Sequence, residues 1–213
     1  MISGSADGEI IFWNIPDRKP VFQINAHQKF IRGISFANNN AISADTIFAS
    51  TGDDRKVNLW SVNKLKAQYQ EFVSAADGGL QNIGLRNYQP RATYVSKGLL
   101  TGLDHSYSED LFATAGSVVQ IWNYERSAPL QTFEWGVDTV TKVKFNPSQV
   151  NLLASVGMDR SICLYDIRGN TPVNKIYLKN KSSAICWNPQ EPMNFVVGNE
   201  NAHCYTFDMR KPE

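Results

Sequence analysis

Residues 164–168 read Leu-Tyr-Asp-Ile-Arg, and residues 206–210 repeat the pattern as Thr-Phe-Asp-Met-Arg. Ahead of them, Lys-Phe-Asn-Pro at residues 144–147 returns as Cys-Trp-Asn-Pro at residues 186–189. Both repeats have an interval of 42 residues. Self-similarity at a fixed period of about 20–50 residues indicates a repeat architecture, in which each copy is one supersecondary unit. The rest of the chain is therefore divided into repeat copies of about this length.

Aromatic residues near the end of each copy mark five such units. These anchor residues are Trp13, Trp60, Trp122, Tyr165 and Phe207. Neighbouring anchors lie 42–47 residues apart, except for the 62 residues between the second and the third. The surplus falls in residues 63–90, which contain Gly, Asn and Gln. We predict that this stretch is a long loop insertion on the surface of one repeat.

Within each copy, short runs with strand character are joined by tight turns. In the second copy, residues 47–50 and 57–60 are such runs, and the turn at residues 52–55 reads Gly-Asp-Asp-Arg. Hairpin connections need residues that tolerate unusual backbone angles. Four short antiparallel strands in a unit of about 40–45 residues, ending in a Trp-Asp-like step, are typical of a WD-repeat blade. The sequence therefore predicts an all-β fold, a WD-repeat β-propeller.

Strand counting predicts about four blades and a partial one. Residues 2–7 match the second strand and turn of a blade, and the chain ends after a third strand. Natural propellers have about 4–8 blades and close when the first and last blades share strands. We therefore expect a fragment of a larger ring, truncated at both ends. Its unpaired sheet edges would favour self-association.

The second copy carries four polar and aromatic residues that resemble the structural tetrad of WD-repeat blades. They are His27, Ser50, Asp54 and Trp60. The serine lies ten residues before the tryptophan, and the aspartate lies six residues before it. Such a set forms one hydrogen-bond chain. Ser, His and Asp are also the components of a hydrolase triad. The spacing belongs to the repeat, and no nucleophile elbow accompanies it, so we predict a structural role and no catalytic residue.

Parts of the same set recur in other copies. Ser3, Asp7 and Trp13 keep both offsets, as do Ser155, Asp159 and Tyr165, whereas Thr114 precedes Trp122 without an accompanying Asp. We expect this loss to be tolerated, because buried apolar contacts carry most of a blade's stability.

Charge and cysteine content exclude several classes of function. The chain has 21 Lys and Arg against 20 Asp and Glu, and no basic tail, which argues against gripping a nucleic-acid backbone by charge alone. No apolar run approaches the roughly 18 residues of a membrane span, and we expect no secretory leader. The odd number of cysteines (Cys163, Cys186 and Cys204) predicts buried thiols in a reducing cytosolic or nuclear compartment.

Sites for metals and small molecules are not predicted. No Cys-x-x-Cys or His-x-x-x-His spacing occurs, and no glycine-rich phosphate loop follows a strand. We therefore expect neither metal nor cofactor, and no small-molecule substrate.

Several segments go beyond a generic repeat and resemble the Sof family of eukaryotic nucleolar WD-repeat proteins. These segments are residues 4–10, 101–105, 135–138, 143–147, 184–189 and 199–201. The most specific are Trp-Gly at 135–136, Cys-Trp-Asn-Pro at 186–189 and Asn-Glu-Asn at 199–201. The resemblance covers nearly all of the chain outside residues 63–90.

This resemblance implies a seven-blade propeller that acts as a non-enzymatic subunit of the small-subunit processome. That nucleolar particle assembles around a box C/D small nucleolar ribonucleoprotein and processes precursor rRNA to the small-subunit rRNA. The implied partners are other processome proteins and the small nucleolar ribonucleoprotein, with direct or indirect contact to precursor rRNA left open. The implied location is the nucleolus, within the nucleus.

The same resemblance implies a second role, because animal members are described as substrate receptors of cullin–RING ubiquitin ligases. They dock on the ligase adaptor through a Trp/Tyr-Asp-x-Arg step. Residues 165–168 match this step, and residues 207–210 match it loosely. The candidate docking residues are Asp166, Arg168, Asp208 and Arg210. The alternative is that each Asp and Arg only ties off its strand and the following turn.

Two further groups of residues are candidates for contact with a partner. Five lysines form a candidate RNA or partner contact: Lys142, Lys144, Lys175, Lys179 and Lys181. At an RNA they would position phosphates without distinguishing sequences; the alternative is an ordinary solvated face. In the insertion, Tyr69, Phe72 and Tyr88 either bind a partner or pack on their own blade.

Overall fold

The computed structural model of the protein describes residues 1–37, 45–75, 88–134 and 138–211. Part of the predicted insertion and the Trp-Gly motif at 135–136 lie outside these residues. The described chain forms five antiparallel sheets, and in each sheet neighbours along the chain are neighbours in space. Three sheets have four strands, while the first and the last have three. The prediction of an all-β WD-repeat propeller is confirmed.

The strands have the following bounds. The first sheet contains β1 (Ile2–Gly4), β2 (Glu9–Asn14) and β3 (Lys19–Asn25). The second contains β4 (Ile31–Phe36), β5 (Ile47–Gly52), β6 (Lys56–Ser61) and β7 (Ala92–Val95). The third contains β8 (Leu100–His105), β9 (Leu111–Gly116), β10 (Val119–Asn123) and β11 (Gln131–Phe133). The fourth contains β12 (Val140–Phe145), β13 (Leu152–Gly157), β14 (Ser161–Asp166) and β15 (Pro172–Tyr177). The fifth contains β16 (Ser182–Trp187), β17 (Asn194–Asn199) and β18 (Cys204–Asp208).

Strands β4, β8, β12 and β16 contact one another in succession, so they are the innermost strands of their sheets. The apolar core lies between successive sheets. Strands β5, β9 and β13 are buried at every residue because each is covered on both faces. Their apolar runs, such as Ile47–Ala49, are typical of strands that are covered on both faces.

The insertion predicted as a loop over residues 63–90 begins instead as a helix, α1 (Val62–Ala75), so the prediction is wrong there. Ser61 caps the helix, because its hydroxyl accepts the backbone N–H of Lys64 at 3.1 Å. Leu65 lies on the buried face of α1 and packs in the cluster between the first two sheets. Residues 76–87 are outside the described part of the chain.

Aromatic side chains of the insertion pack on the neighbouring first sheet and not, as the sequence suggested, on their own blade, which is the second sheet. The ring of Tyr69 stacks on that of Phe22 with centroids 5.3 Å apart, and Tyr88 approaches the same ring edge-on at 6.3 Å. These contacts favour packing over partner binding for both tyrosines. The side chain of Phe72 is not among those described.

The cysteines differ from the predicted set of buried thiols. Cys163 is buried, but Cys186 and Cys204 are exposed. Strand pairing places these two, together with Val196, on one face of the fifth sheet, which no other described sheet covers. The prediction was therefore wrong for Cys186 and Cys204, because a strand with an apolar sequence can still have one face exposed. None of the described helices is long and apolar enough to span a membrane.

Candidate functional site

The four residues predicted as a tetrad come together in one hydrogen-bond chain. Trp60 Nε1 donates to Ser50 Oγ at 2.9 Å, and this oxygen lies 2.8 Å from His27 Nε2. His27 Nδ1 lies 2.9 Å from the Asp54 carboxylate. A neutral ring that donates from Nδ1 and accepts at Nε2 satisfies every member. Pairing of β5 with β6 places Ser50 and Trp60 side by side.

The electrostatics of this site favour a structural role. Burial lowers the pKa of His27 and outweighs the opposing effect of Asp54, so the ring is neutral at pH 7. Ser50 is 0% exposed, and its oxygen already accepts the Trp60 N–H. A nucleophile must reach a substrate, and this hydroxyl is sealed between strands.

The bond between the aromatic residue and the hydroxyl recurs in three other sheets. Trp13 donates to Ser3 at 2.8 Å, Trp122 donates to Thr114 at 2.9 Å, and the hydroxyls of Tyr165 and Ser155 are 3.1 Å apart. The carboxylate of the tetrad does not recur in the same way: Asp159 binds the Ser161 hydroxyl at 2.7 Å and Lys175 at 3.2 Å. The hydrogen bond between the aromatic residue and the hydroxyl is therefore kept in these strand pairs, whereas the contacts of the carboxylate differ between sheets.

A cavity of about 530 Å³ lies against Trp122 in the third sheet, where the tetrad lacks its Asp. Its walls are mainly apolar and include Val95, Leu99 and Pro129. A smaller cavity of about 360 Å³ lies beside His27 in the second sheet. The cavity is thus larger in the third sheet, where the turn between β9 and β10 is shorter than the turn between β5 and β6 of the second sheet.

The innermost strands are joined by a set of links that the sequence did not predict. Each of these strands has a β-bulge at the same place, and the bulged residues are Arg32, Thr101, Thr141 and Ser183. Thr101 Oγ1 donates to the carbonyl of Val140, and Thr141 Oγ1 donates to that of Ser182 at 2.8 Å. A hydroxyl therefore connects β8 to β12 and β12 to β16. Two threonines 40 residues apart were the only signal in the sequence.

The two Asp-x-Arg steps have the same geometry. Arg168 Nε and Nη2 lie 2.9 and 2.5 Å from the Asp166 carboxylate, which also accepts the Arg168 backbone N–H. In the second step, Arg210 binds Asp208 at 2.9 and 2.7 Å. The guanidinium of Arg168 lowers the pKa of Asp166, and that of Arg210 lowers the pKa of Asp208 to about 2.

Each Asp-x-Arg pair ties off its strand and also presents a charged group to solvent. The side chain of Arg168 is 73% exposed and that of Arg210 is 65% exposed. The geometry is therefore compatible with both interpretations made from the sequence, strand termination and docking on an adaptor.

The structure does not bring the five predicted lysines together in one patch. Lys142 and Lys144 lie on the innermost strand of the fourth sheet and Lys175 lies on its outermost strand, three strand spacings or about 14 Å away. Lys144 pairs with Asp104 at 2.6 Å, and Lys175 pairs with an aspartate of its own sheet. The remaining two, Lys179 and Lys181, lie in the connection between β15 and β16.

Within the described ranges, no group of three His, Cys, Asp or Glu side chains is arranged to hold a metal ion.

Comparisons with known proteins identify the repeat and close relatives. The model of the family "WD domain, G-beta repeat" matches residues 18–61 and 127–166. The "DDB1- and CUL4-associated factor 13" of Xenopus tropicalis is 39% identical over 210 residues, 99% of this chain and 42% of that protein. The "Protein SOF1" of Saccharomyces cerevisiae is 34% identical over 217 residues, 99% of this chain and 43% of that protein. This chain therefore spans about two fifths of the length of these relatives.

A solved structure supports the fold alone. A chain of the "Crystal Structure of Mitotic Checkpoint Complex" matches with a TM-score of 0.74 at 17% identity. The match covers 96% of this chain and 57% of the other.

Proposed function

Because this chain is homologous over nearly all of its length to the Sof1 proteins of yeasts and the DDB1- and CUL4-associated factor 13 proteins of animals, we propose that it is a non-catalytic WD-repeat scaffold in ribosome biogenesis. In this role it is a subunit of the nucleolar small-subunit processome and is needed for processing of precursor rRNA. Its partners are other processome proteins and a box C/D small nucleolar ribonucleoprotein. The observation that carries the proposal is the identity to the Sof1 proteins along 98–99% of the chain.

The geometry is suited to a scaffold. Hydroxyl links between innermost strands and apolar clusters between sheets hold the sheets in a fixed order. The polar set that most resembles a catalytic triad is sealed in the second sheet. Rigid sheets that present turns and strand ends to solvent suit binding by surface complementarity.

The proposal is tested by tagging the protein in its own cells and separating extracts on a sucrose gradient. We expect it to sediment with large pre-ribosomal particles that contain box C/D RNA. Depletion should increase unprocessed precursor rRNA and decrease the small-subunit rRNA, while the large-subunit rRNA serves as the internal control. Sedimentation only as a free protein, with normal precursor levels after depletion, would contradict the proposal.

A second candidate function is that of a substrate receptor of a cullin–RING ubiquitin ligase. It is favoured by the name of the animal relatives, "DDB1- and CUL4-associated factor 13", and by the exposed Asp166–Arg168 step. In this role Arg168 leaves or shares its bond to Asp166 and donates to the adaptor. A guanidinium can form a bidentate pair with an acceptor there, whereas alanine cannot.

The two candidates are separated by the substitution Arg168→Ala. If the protein is a receptor, we expect Arg168→Ala to abolish recovery of the ligase adaptor in a pull-down, while Arg126→Ala, at another exposed arginine, has no effect. If it acts only as a scaffold, Arg168→Ala leaves sedimentation with pre-ribosomal particles unchanged. Adaptor recovery that is equal for both variants and the wild type would exclude docking through this step.

A further inference from the structure

Three basic side chains lie on the two innermost strands that flank β8. Arg32 is the bulged residue of β4, and Lys142 and Lys144 are on β12. Lys142 directly follows the bulge of its strand, at the place where β4 has Gly33 and β8 has Gly102. Among the three four-stranded sheets, only the fourth therefore has a basic residue at this place.

Glycine in the neighbouring strand provides the space for Lys142. A Cβ atom at position 102 would lie 3.2 Å from Lys142 Cα, which is a tight contact. The Lys142 side chain extends back over β8, and its Nζ lies 3.4 Å from the carbonyl of Thr101. The ammonium group is thus held over β8 of the third sheet.

The charges around this point do not balance. Arg32 is paired with Asp53 through two bonds of 2.7 and 2.8 Å, and Lys144 is paired with Asp104. Among the residues that the structure describes, Lys142 has no carboxylate partner, and its one hydrogen bond is to a backbone carbonyl. Three cations therefore share two carboxylates. Burial, and then the positive charges of Lys144 and Arg32, lower the pKa of Lys142.

We propose that Lys142 is the centre of an anion-binding site that takes one phosphate group, with Arg32 and Lys144 at its sides. A half-buried ammonium among cations is stabilised when an anion approaches it. Phosphate suits the site better than a monatomic anion, because its several oxygens can accept from an ammonium and a guanidinium at once. Arg32 and Lys144 are 47% and 39% exposed, so a ligand can reach them from solvent.

This site does not depend on the proposed role in ribosome biogenesis. The phosphate group could belong to a free phosphorylated molecule or to the backbone of an RNA strand. Both sources offer the same oxygens to Lys142. A test must therefore establish the phosphate site first and then compare the two sources.

The first experiment measures thermal unfolding of the chain with increasing inorganic phosphate, against sodium chloride at equal ionic strength. A ligand that binds only the folded state raises the unfolding midpoint as its concentration exceeds the dissociation constant. We expect a saturable rise with phosphate that chloride does not reproduce. Lys142→Gln should lose the rise, and Lys19→Gln, the same charge change on an exposed residue of β3, should keep it.

Removing the unpaired charge is not expected to unfold the protein, because it relieves repulsion from Arg32 and Lys144. Should Lys142→Gln nevertheless fail to fold, calorimetric titration of phosphate into wild type and Arg32→Gln replaces it, with weaker binding expected for the variant. Equal rises in phosphate and chloride would overturn the proposal. So would an equal response of Lys142→Gln and the wild type.

The second experiment titrates a short single-stranded oligoribonucleotide in place of phosphate. If the oligonucleotide binds and Lys142→Gln weakens it while Lys19→Gln does not, the site takes a backbone phosphate. If only inorganic phosphate depends on Lys142, the site takes a free phosphorylated molecule. Independence of both ligands from Lys142 would overturn the site.

Discussion

Two buried histidines have opposite hydrogen-bond environments. His27 is held between Ser50 and Asp54, whereas both ring nitrogens of His105 lack a partner among the described residues. The ring of His105 packs against those of Phe112 and Tyr124. Burial, and then the charge of Lys144, lower the pKa of His105 to about 4. The neutral imidazole is tolerated there and the charged one is not.

This difference predicts a pH-dependent stability. The unfolded chain binds a proton at His105 near pH 6.5 and the folded chain near pH 4, so the stability contribution is present above 6.5 and is lost as the pH falls towards 4. The full effect is about 3 kcal/mol at most, from 1.36 kcal/mol for each pKa unit. Urea unfolding between pH 7 and 4 should show a shallower loss for His105→Leu than for the wild type.

The effect of His105 is obtained from the difference between the wild type and His105→Leu, because other groups titrate in the same pH range. The pKa of His27 is also lowered, which adds to the loss at low pH, while burial raises the pKa of Asp104 and acts in the opposite sense. Both groups remain in His105→Leu. Identical pH profiles would show that His105 does not titrate with the expected pKa.

Ser50 is the residue on which the tetrad depends most. Ser50→Ala leaves the buried Trp60 N–H and His27 Nε2 without their partner, and we expect a loss of about 1–3 kcal/mol in the free energy of unfolding. Denaturant unfolding measures it. Ser3→Ala, which removes the equivalent bond at a more accessible place, should cost less. A variant Ser50→Ala that keeps its stability would argue against the hydrogen-bond chain.

At the scale of elements, the hairpin turns share a backbone feature. A residue at or next to the end of the turn before the third strand from the centre or its equivalent has a positive φ in four sheets: Gly8 at 88°, Arg55 at 63° and Arg160 at 64° directly precede the strand, and Ala202 at 62° precedes it by two residues. Residues other than glycine are strained in this conformation. The turn geometry is therefore retained even where the residue type does not favour it.

Replacing Arg160 by glycine should stabilise the fourth sheet. The Arg160 side chain is exposed, and its backbone bonds to Gly157 and Leu178 need no side chain. Relief of the positive φ, less the greater entropy of glycine in the unfolded chain, leaves a gain of about 0.5–1 kcal/mol. Thermal or urea unfolding checks this, with Arg126→Gly at an exposed position as the control that should not gain. A destabilised Arg160→Gly would assign its side chain a role in the fold.

At the scale of the whole molecule, the position of each sheet relative to its neighbours determines which faces are covered. The fourth sheet packs against the fifth through Leu164, Ile185 and Phe195, while the far face of the fifth sheet exposes Cys186 and Val196. The same strand type therefore gives one buried and two exposed thiols.

This arrangement predicts two classes of thiol in the 213-residue chain. With a small thiol reagent at neutral pH, we expect Cys186 and Cys204 to react quickly and Cys163 to react only on unfolding, because it is buried and its pKa is raised. Cys186→Ser and Cys204→Ser should each reduce the reagent consumed in the fast phase by one mole per mole of protein. Cys163→Ser should leave the fast phase unchanged. Three equally fast thiols would show that the fourth sheet is not covered as described.

The sequence by itself determined the period, the strand type, the turns and the tetrad of the second sheet. These features follow from local spacing: alternate side chains share a face of a strand, and turn residues recur at the same offset in each copy. The helix after Ser61 escaped prediction because its stability depends on packing of Leu65 against the first two sheets.

Only the tertiary structure decided the contacts between sheets. Thr141 binds Ser182, Lys144 pairs with Asp104, and Lys142 binds the carbonyl of Thr101, although each pair is separated by about 40 residues. Other basic residues of the repeats pair within their own sheet, as Arg168 does with Asp166. The physical reason is that a repeat specifies the inside of each sheet, whereas partners across sheets depend on how neighbouring sheets pack and on which faces they cover.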